Sequence, residues 1–345
     1  MIIPASINRL LVIAPSWIGD AVMASVIYRA ARNACPNASI TLAGQAKLRP
    51  LFDGAPWFDQ FQSIDAAGLL GPRRAGRKLA ADSPEAAVVL PGSFRSALTA
   101  WWAGAPCRVG TARDTRRLLL THALPHPDRA QPVSAVEHYR RIAAACFGEN
   151  AATDTSLALH VTDHDLAEAD RILGQDQRPL LLLVPGANRA DKRWPAERFV
   201  EVANALASSH QLRTVIAGAP DESGLTSKIA AGITDESIDG PAAGMGLGAL
   251  KAIAARACIA ISNDTGPRHI AAAMNTPVVS LFGPTDHRWT TLPSARERCL
   301  LSDPFLPEDE VADQQPQRCS IDRIMTTDVL AAARALLDES ASTSA

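Results

Sequence analysis

The stretch Ser262-Asn263-Asp264-Thr265-Gly266-Pro267-Arg268-His269 points to a chemistry more clearly than any other part of this 345-residue chain. An apolar run, Cys258-Ile259-Ala260-Ile261, precedes it, and Ile270-Ala271-Ala272-Ala273-Met274 follows with the character of a helix. A strand that breaks into polar and glycine residues and then opens a helix can hold a phosphate. The first N–H groups of the helix lack internal partners, and its dipole favours an anion there. Thr265 and Gly266 let a diphosphate come close, because Gly266 adds no side-chain bulk. A helix N-cap made by Asn263 or Asp264 would explain the same residues without a ligand. A second apolar run, Val278 to Phe282, ends in Gly283-Pro284-Thr285-Asp286. Two successive strand ends then direct polar loops at one crevice, where open α/β sheets bind ligands.

Three further loops carry groups of this kind. In Pro15-Ser16-Trp17-Ile18-Gly19-Asp20 the carboxylate falls where a helix begins. Asp20 could cap that helix, or take a proton from a substrate hydroxyl. Gly19 would allow close substrate approach, and Trp17 could form a stacking wall or fill the core. The loop from Val184 to Pro195 contains Asn188 and Lys192 just before a helix that Pro195 can open. A mobile lysine suits a leaving diphosphate, although an ordinary solvated basic turn would read the same way. In Gly218-Ala219-Pro220-Asp221-Glu222 an acid could accept both hydroxyls of a ribose or favour a helix N-terminus.

These loops need strands and helices to hold them. Continuous apolar runs at Leu10–Ala14, Ser39–Ala43 and Ala86–Leu90 alternate with helical patterns at 20–33, 93–103 and 134–147. The alternation restarts at Leu180–Val184 and continues through Arg213–Ala217, Ala257–Ile261 and Val278–Phe282. Such a pattern predicts parallel sheets covered on both faces, in two α/β units. Domains are expected at 1–165 and 166–338, joined by a polar connection over 148–178. The Gly244–Gly248 cluster has no evident strand before it. An acidic, Pro- and Gln-rich loop is expected at 303–317, and residues 339–345 read as a disordered tail.

Composition narrows the classes. Hydrophobic residues make up 47% and charged ones 20%, as in a globular protein with real cores. No secretory signal is recognised at the start, and no apolar run approaches the roughly 18 residues of a membrane span. The six cysteines lack any Cys-x-x-Cys pair, which argues against zinc and disulfides and for a reducing cytoplasm. Residues 1–150 carry 17 Lys/Arg against 10 Asp/Glu, and the rest 17 against 26. The basic half suggests an anionic partner, or a chance partition of surface charge. Nucleic acid is not expected, because the basic residues lack interleaved aromatics and no recognised motif is present.

Leu11 to Ala24 resembles the start of the ADP-heptose heptosyltransferases of glycosyltransferase family 9, and most closely the heptosyltransferase II branch. Collinear matches follow at Leu90–Ala97, Arg108–Gly110, Arg116–Leu120, Pro185–Pro195, Asn263–His269 and Phe282–Asp286. The resemblance departs near the C-terminus, where Cys319 alone echoes a loop bearing Cys and His, and at Pro267-Arg268. It implies a GT-B architecture of two Rossmann-like domains facing a central cleft, with acceptor on the N-terminal domain and donor on the C-terminal one. By position Asp20 matches the catalytic base and Lys192 the donor-phosphate lysine. Asp264 and His269 match the donor motif, joined on the donor side by Asn188, Glu222, Thr265 and Gly266. Gly19, Arg95, Arg113, Arg116 and Arg117 become acceptor-side candidates.

The expected activity is inverting and metal-independent, with no cofactor: heptose moves from ADP-L-glycero-D-manno-heptose to the lipopolysaccharide inner core. The expected location is cytoplasmic, with peripheral contact at the cytoplasmic face of the inner membrane. A family 9 transferase with another donor or acceptor is the nearest alternative, and a non-catalytic nucleotide-sugar-binding protein the next. A nicotinamide-dependent dehydrogenase would need Gly-x-Gly-x-x-Gly after a strand, and Ile13 to Ala21 offers one glycine. A Gly-x-Ser-x-Gly hydrolase elbow is absent from the sequence.

Overall fold

The computed structural model describes residues 1–126, 132–293, 295–303, 305–307 and 309–344. The chain divides between Ala158 and Leu159 into two units, each built on one six-stranded parallel sheet. The first unit runs Arg9–Ile13 (β1), Ile18–Met23 (α1), Ser25–Ala34 (α2), Ser39–Gly44 (β2), Arg49–Phe52 (α3) and Gln60–Ser63 (β3). It continues with Gly71–Leu79 (α4), Ala86–Val89 (β4), Phe94–Trp102 (α5), Cys107–Thr111 (β5), His122–Leu124 (β6) and Ala135–Phe147 (α6). The second unit runs Asp163–Leu173 (α7), Leu180–Val184 (β7), Ala196–His210 (α8), Arg213–Ile216 (β8), Ser223–Gly232 (α9) and Ser237–Asp239 (β9). Leu247–Arg256 (α10), Ala257–Asn263 (β10), Gly266–Ala273 (α11), Val278–Phe282 (β11), Glu297–Leu301 (β12) and Thr326–Ser344 (α12) complete it.

Both sheets have the same strand order. The first reads β3-β2-β1-β4-β5-β6, and the second, counted from its other edge, β9-β8-β7-β10-β11-β12. Each is a doubly wound Rossmann order, so its direction switches between the first and fourth strands. At those switches Leu11 faces Ala87 and Leu183 faces Ile261. The central strands are apolar throughout, since helices must cover both faces of a parallel sheet; all five residues of β7 are buried.

The edge strands were not legible in the same way. Gln60–Ser63, Ser237–Asp239 and Glu297–Leu301 are polar and partly exposed, as edges that resist further pairing tend to be. One of them, β9, precedes the Gly244–Gly248 cluster, which therefore does follow a strand.

Three expectations about organisation need correction. The 148–178 connection contains α7, whose charged sequence hid a capping box between Thr162 and Asp165. Buried Lys251 on α10 pairs with Asp165 at 3.1 Å, which ties α7 to the second unit and places the boundary before 165. Residues 339–344 continue α12 rather than forming a disordered tail. Val329, Ala333 and Leu336 bury one face of that helix, while Glu339 and Ser340 are held by Arg298 and Arg296 from the adjoining edge of the sheet. Ala345 lies outside the described residues. No helix among the described residues is long and apolar enough to cross a membrane.

Candidate active site

In the second unit, β7 and β10 lie side by side and send their carboxyl-end loops out at the switch in strand order. The loop after β7 is fixed by Asn263. Its Nδ2 donates to the Pro185 carbonyl at 2.7 Å, and its Oδ1 accepts from the Trp194 N–H at 3.3 Å. Trp194 in turn donates its indole N–H to the Ile324 carbonyl at 2.9 Å. Asn263 is therefore a pin between two loops. Thr265 occupies the N-cap position of α11, and no side-chain hydrogen bond caps that helix among the described residues. The first turn of α11 keeps its positive end open, so the capping explanation for Asn263 and Asp264 fails.

The pin brings Lys192 onto Asp264. Lys192 Nζ donates to Asp264 Oδ2 at 2.8 Å, with both side chains nearly enclosed. Thr285 and Thr290 also donate to this carboxylate, at 3.0 and 3.4 Å, and the Arg268 guanidinium lies 3.6 Å away. Burial opposes ionisation of Asp264, but Lys192 and Arg268 overcome it and hold its pKa down to about 2. The carboxylate anchors cations and cannot itself be offered to a diphosphate. Asp264 takes one of the three N–H donors of the Lys192 ammonium, which leaves others for an incoming anion.

The remaining donor-side candidates occupy three settings. His269 is buried with no partner on Nδ1 among the described residues, and burial followed by Arg268 lowers its pKa to about 3. It is a neutral imidazole behind the carboxylate. Glu222, after β8, accepts from the Ala219 N–H at 2.9 Å, and its carboxylate lies against Gly186, where any Cβ would collide with it. Asn188 is exposed on the β7 loop, and Thr265 and Gly266 are part-exposed.

In the first unit, Gly19 and Asp20 sit in α1, directly after β1 at the corresponding switch. Trp17 is the N-cap residue of α1 and is 64% exposed, so it does not fill the core. No side-chain hydrogen bond caps α1 among the described residues. Buried Tyr28 and Tyr139 have their hydroxyl pKa values raised by burial and then by the Asp20 charge. Asp20 thus stands half-exposed over a dry tyrosine pair.

The arginines expected together separate into two kinds. Arg116 is fully enclosed; its Nη1 donates to the Pro91 carbonyl at 2.6 Å and Nη2 to Val89 at 3.5 Å, at the end of β4. Among the described residues no carboxylate pairs with it, and Nε has no partner. It holds the β4 loop. Arg95, Arg113 and Arg117 are exposed, and Arg95 donates to the carbonyls of Ala66 and Gly68.

Sequence reasoning missed the support behind Lys192. Arg268 donates to Ser280 at 2.9 Å and to Glu297 at 2.7 Å, with its guanidinium 4.8 Å from the centre of the Phe282 ring. The only signal was an arginine in a helical turn that should face the core. No group of three or more His, Cys, Asp or Glu side chains arranged to hold a metal occurs among the described residues.

Comparison with known proteins gives the family and the fold. Residues 72–319 match the family described as Glycosyltransferase family 9 (heptosyltransferase). Lipopolysaccharide heptosyltransferase 2 of Salmonella typhimurium is 30% identical over 306 residues, covering 85% of this chain and 87% of that protein. The structure of Escherichia coli ADP-heptose LPS heptosyltransferase II superposes with a TM-score of 0.80 at 26% identity, covering 96% of this chain and 99% of that one. An Escherichia coli heptosyltransferase holding ADP-2-deoxy-2-fluoro heptose shares the fold, with a TM-score of 0.62 at 21% identity over 90% of this chain and 98% of that one.

Proposed function

The chain belongs to glycosyltransferase family 9, the heptosyltransferases, and from that premise we propose how it moves heptose onto the lipopolysaccharide inner core. The second unit binds ADP-L-glycero-D-manno-heptose and the first binds the core acceptor. Asp20 removes the proton of an acceptor hydroxyl as its oxygen attacks the anomeric carbon. The bond from that carbon to the β-phosphate oxygen breaks on the opposite face, so configuration inverts and ADP leaves with the electron pair. Lys192 and the open first turn of α11 stabilise the charge on the departing diphosphate, in positions fixed before reaction. Glu222 receives the ribose hydroxyls, and Asn188, Thr265, Gly266 and His269 complete the donor side with Asp264. Arg95, Arg113 and Arg117 receive the anionic acceptor, and the enzyme works in the cytoplasm at the inner membrane face.

The observation that supports this reading best is Lys192 held on buried Asp264 beside the uncapped α11 at a switch point. The direct test incubates the protein with ADP-heptose and a panel of truncated cores and reads transfer by mass spectrometry. One added heptose on a single core structure is expected. Binding of ADP-heptose without transfer to any core would favour the non-catalytic reading.

A further inference from the structure

The first unit carries a surface whose apolar residues have no part in the transfer proposed above. We propose that α4, the turn before it and the neighbouring tips of α5 and the 114–119 turn dock on a bilayer of anionic lipids. Four large apolar side chains protrude there: Leu69 is 95% exposed, Leu70 65%, Phe94 46% and Leu118 86%. Clustered exposed apolar residues of this size mark a contact surface, whereas isolated ones do not. The leucine turn and α5 are physically joined. Arg95, next to Phe94, donates to the Ala66 and Gly68 carbonyls, which ties the leucine turn to α5. Gly71 fits against the Ala66 carbonyl so closely that a Cβ would collide. The leucines therefore project from a tightened turn.

Charge selects the occupant. From Ala66 to Leu79 the sequence has four basic residues and no acidic one. Pro72, Ala75, Gly76 and Leu79 are buried, while Arg73, Arg74, Arg77 and Lys78 are exposed. Gly76 is pressed against Trp102, and the Arg73 and Arg77 guanidiniums lie 5.1 and 5.8 Å from that ring's centre. Their charges are thus spread along the surface beside Trp101, which is 45% exposed. Among the described residues Arg74 alone of the four has a carboxylate partner, Asp65 at 3.4 Å. Leucines that enter the acyl boundary, cations at phosphate height and tryptophan between them match a lipid headgroup layer.

The proposal stands independently of the transfer reading, because lipid binding is measured without substrate. The full chain is sedimented with vesicles of phosphatidylcholine alone or mixed with phosphatidylglycerol. Wild type is expected to bind the mixed vesicles and leave the neutral ones. Leu69→Ser/Leu70→Ser and Arg74→Gln/Lys78→Gln should each weaken partitioning by on the order of tenfold. Added salt should weaken wild type more than the Arg74→Gln/Lys78→Gln variant. Both variants should retain the unfolding temperature and, on a soluble core fragment, the transfer rate of wild type. Absence of wild-type binding to mixed vesicles would overturn the proposal, and that measurement needs no variant. A leucine variant that is folded and binds as wild type does would also overturn it, since charge alone would then favour an acidic protein.

Discussion

Arg116 and Arg268 are both fully enclosed beside the carboxyl ends of their sheets, yet they are held by different means. Arg268 has Glu297 at 2.7 Å and Asp264 at 3.6 Å, and its charge is answered on both sides. Arg116 has the carbonyls of Pro91 and Val89 and no carboxylate among the described residues. Burial and then Arg113 lower the Arg116 pKa, whereas the carboxylates raise that of Arg268 despite its burial. Two units of one topology therefore solve different electrostatic problems. The second locks opposite charges into a network whose outermost member is Lys192. The first answers its buried guanidinium with carbonyl oxygens alone among the described residues.

The strongest way to break this comparison is to delete each cation. Arg268→Met strands Glu297 in a dry site, leaves Asp264 to Lys192, and is expected to destabilise by about 3–5 kcal/mol. Arg116→Met removes a buried charge along with its hydrogen bonds, and about 1–3 kcal/mol is expected. Urea unfolding of the two variants distinguishes the accounts, and equal losses would mean that carboxylate pairing is not what separates the units. Asp20→Asn should leave both stability and donor affinity near wild type while lowering transfer by about 10²-fold or more. Near wild-type turnover in that variant would remove Asp20 as the base.

Lys192→Ala should raise the dissociation constant for ADP by roughly tenfold, and Lys192→Arg should recover only part, because a planar fork does not replace a point charge. Calorimetry showing equal ADP affinity in wild type and the alanine variant would take Lys192 out of the donor site. Stability is also expected to depend on pH. Burial lowers the pKa of His269 to about 3 and that of His138, in the first unit, to about 4. The unfolded chain binds these protons near pH 6.5, so their contribution is complete above that value and is lost as pH falls towards 4 and then 3. Each histidine adds a slope of at most about 1.4 kcal/mol per pH unit in that window. His269→Gln should flatten the acid side of the stability curve between pH 6 and 4, as read by urea unfolding at each pH, and an unchanged slope would show that His269 is already protonated in the fold.

The parts of the fold that were legible in the sequence share one cause. Leu180–Val184 and Val278–Phe282 are buried on both faces, so hydrophobicity alone marks them. Glu297–Leu301 is stabilised by pairing with β11 and by neighbours distant in sequence, which no local pattern reports. The same division runs through the site. Lys192 and Asp264 stood out because both fall in polar loops at strand ends, and the fold joins them across 72 residues. Arg268 was passed over because its partners, Ser280, Thr290 and Glu297, are scattered along the sequence. Arg116 shows the opposite limit: its type suggested a ligand contact, and only burial reveals a loop clamp.

The clip between Trp194 and Ile324 also sets an order of assembly. Trp194 and Arg198 both donate to the Ile324 carbonyl, and Val329, Ala333 and Leu336 pack into the same core as Leu181 and Leu183. The chain leaves the ribosome N-terminus first, and domains fold largely as they emerge. The first unit can therefore be complete while the second still lacks its last helix. The tryptophan beside Lys192 lacks the carbonyl that receives its indole N–H until a segment made some 130 residues later has arrived. A ribosome stalled anywhere between those points carries a chain with a first unit made in full and a second whose lysine loop lacks that clip.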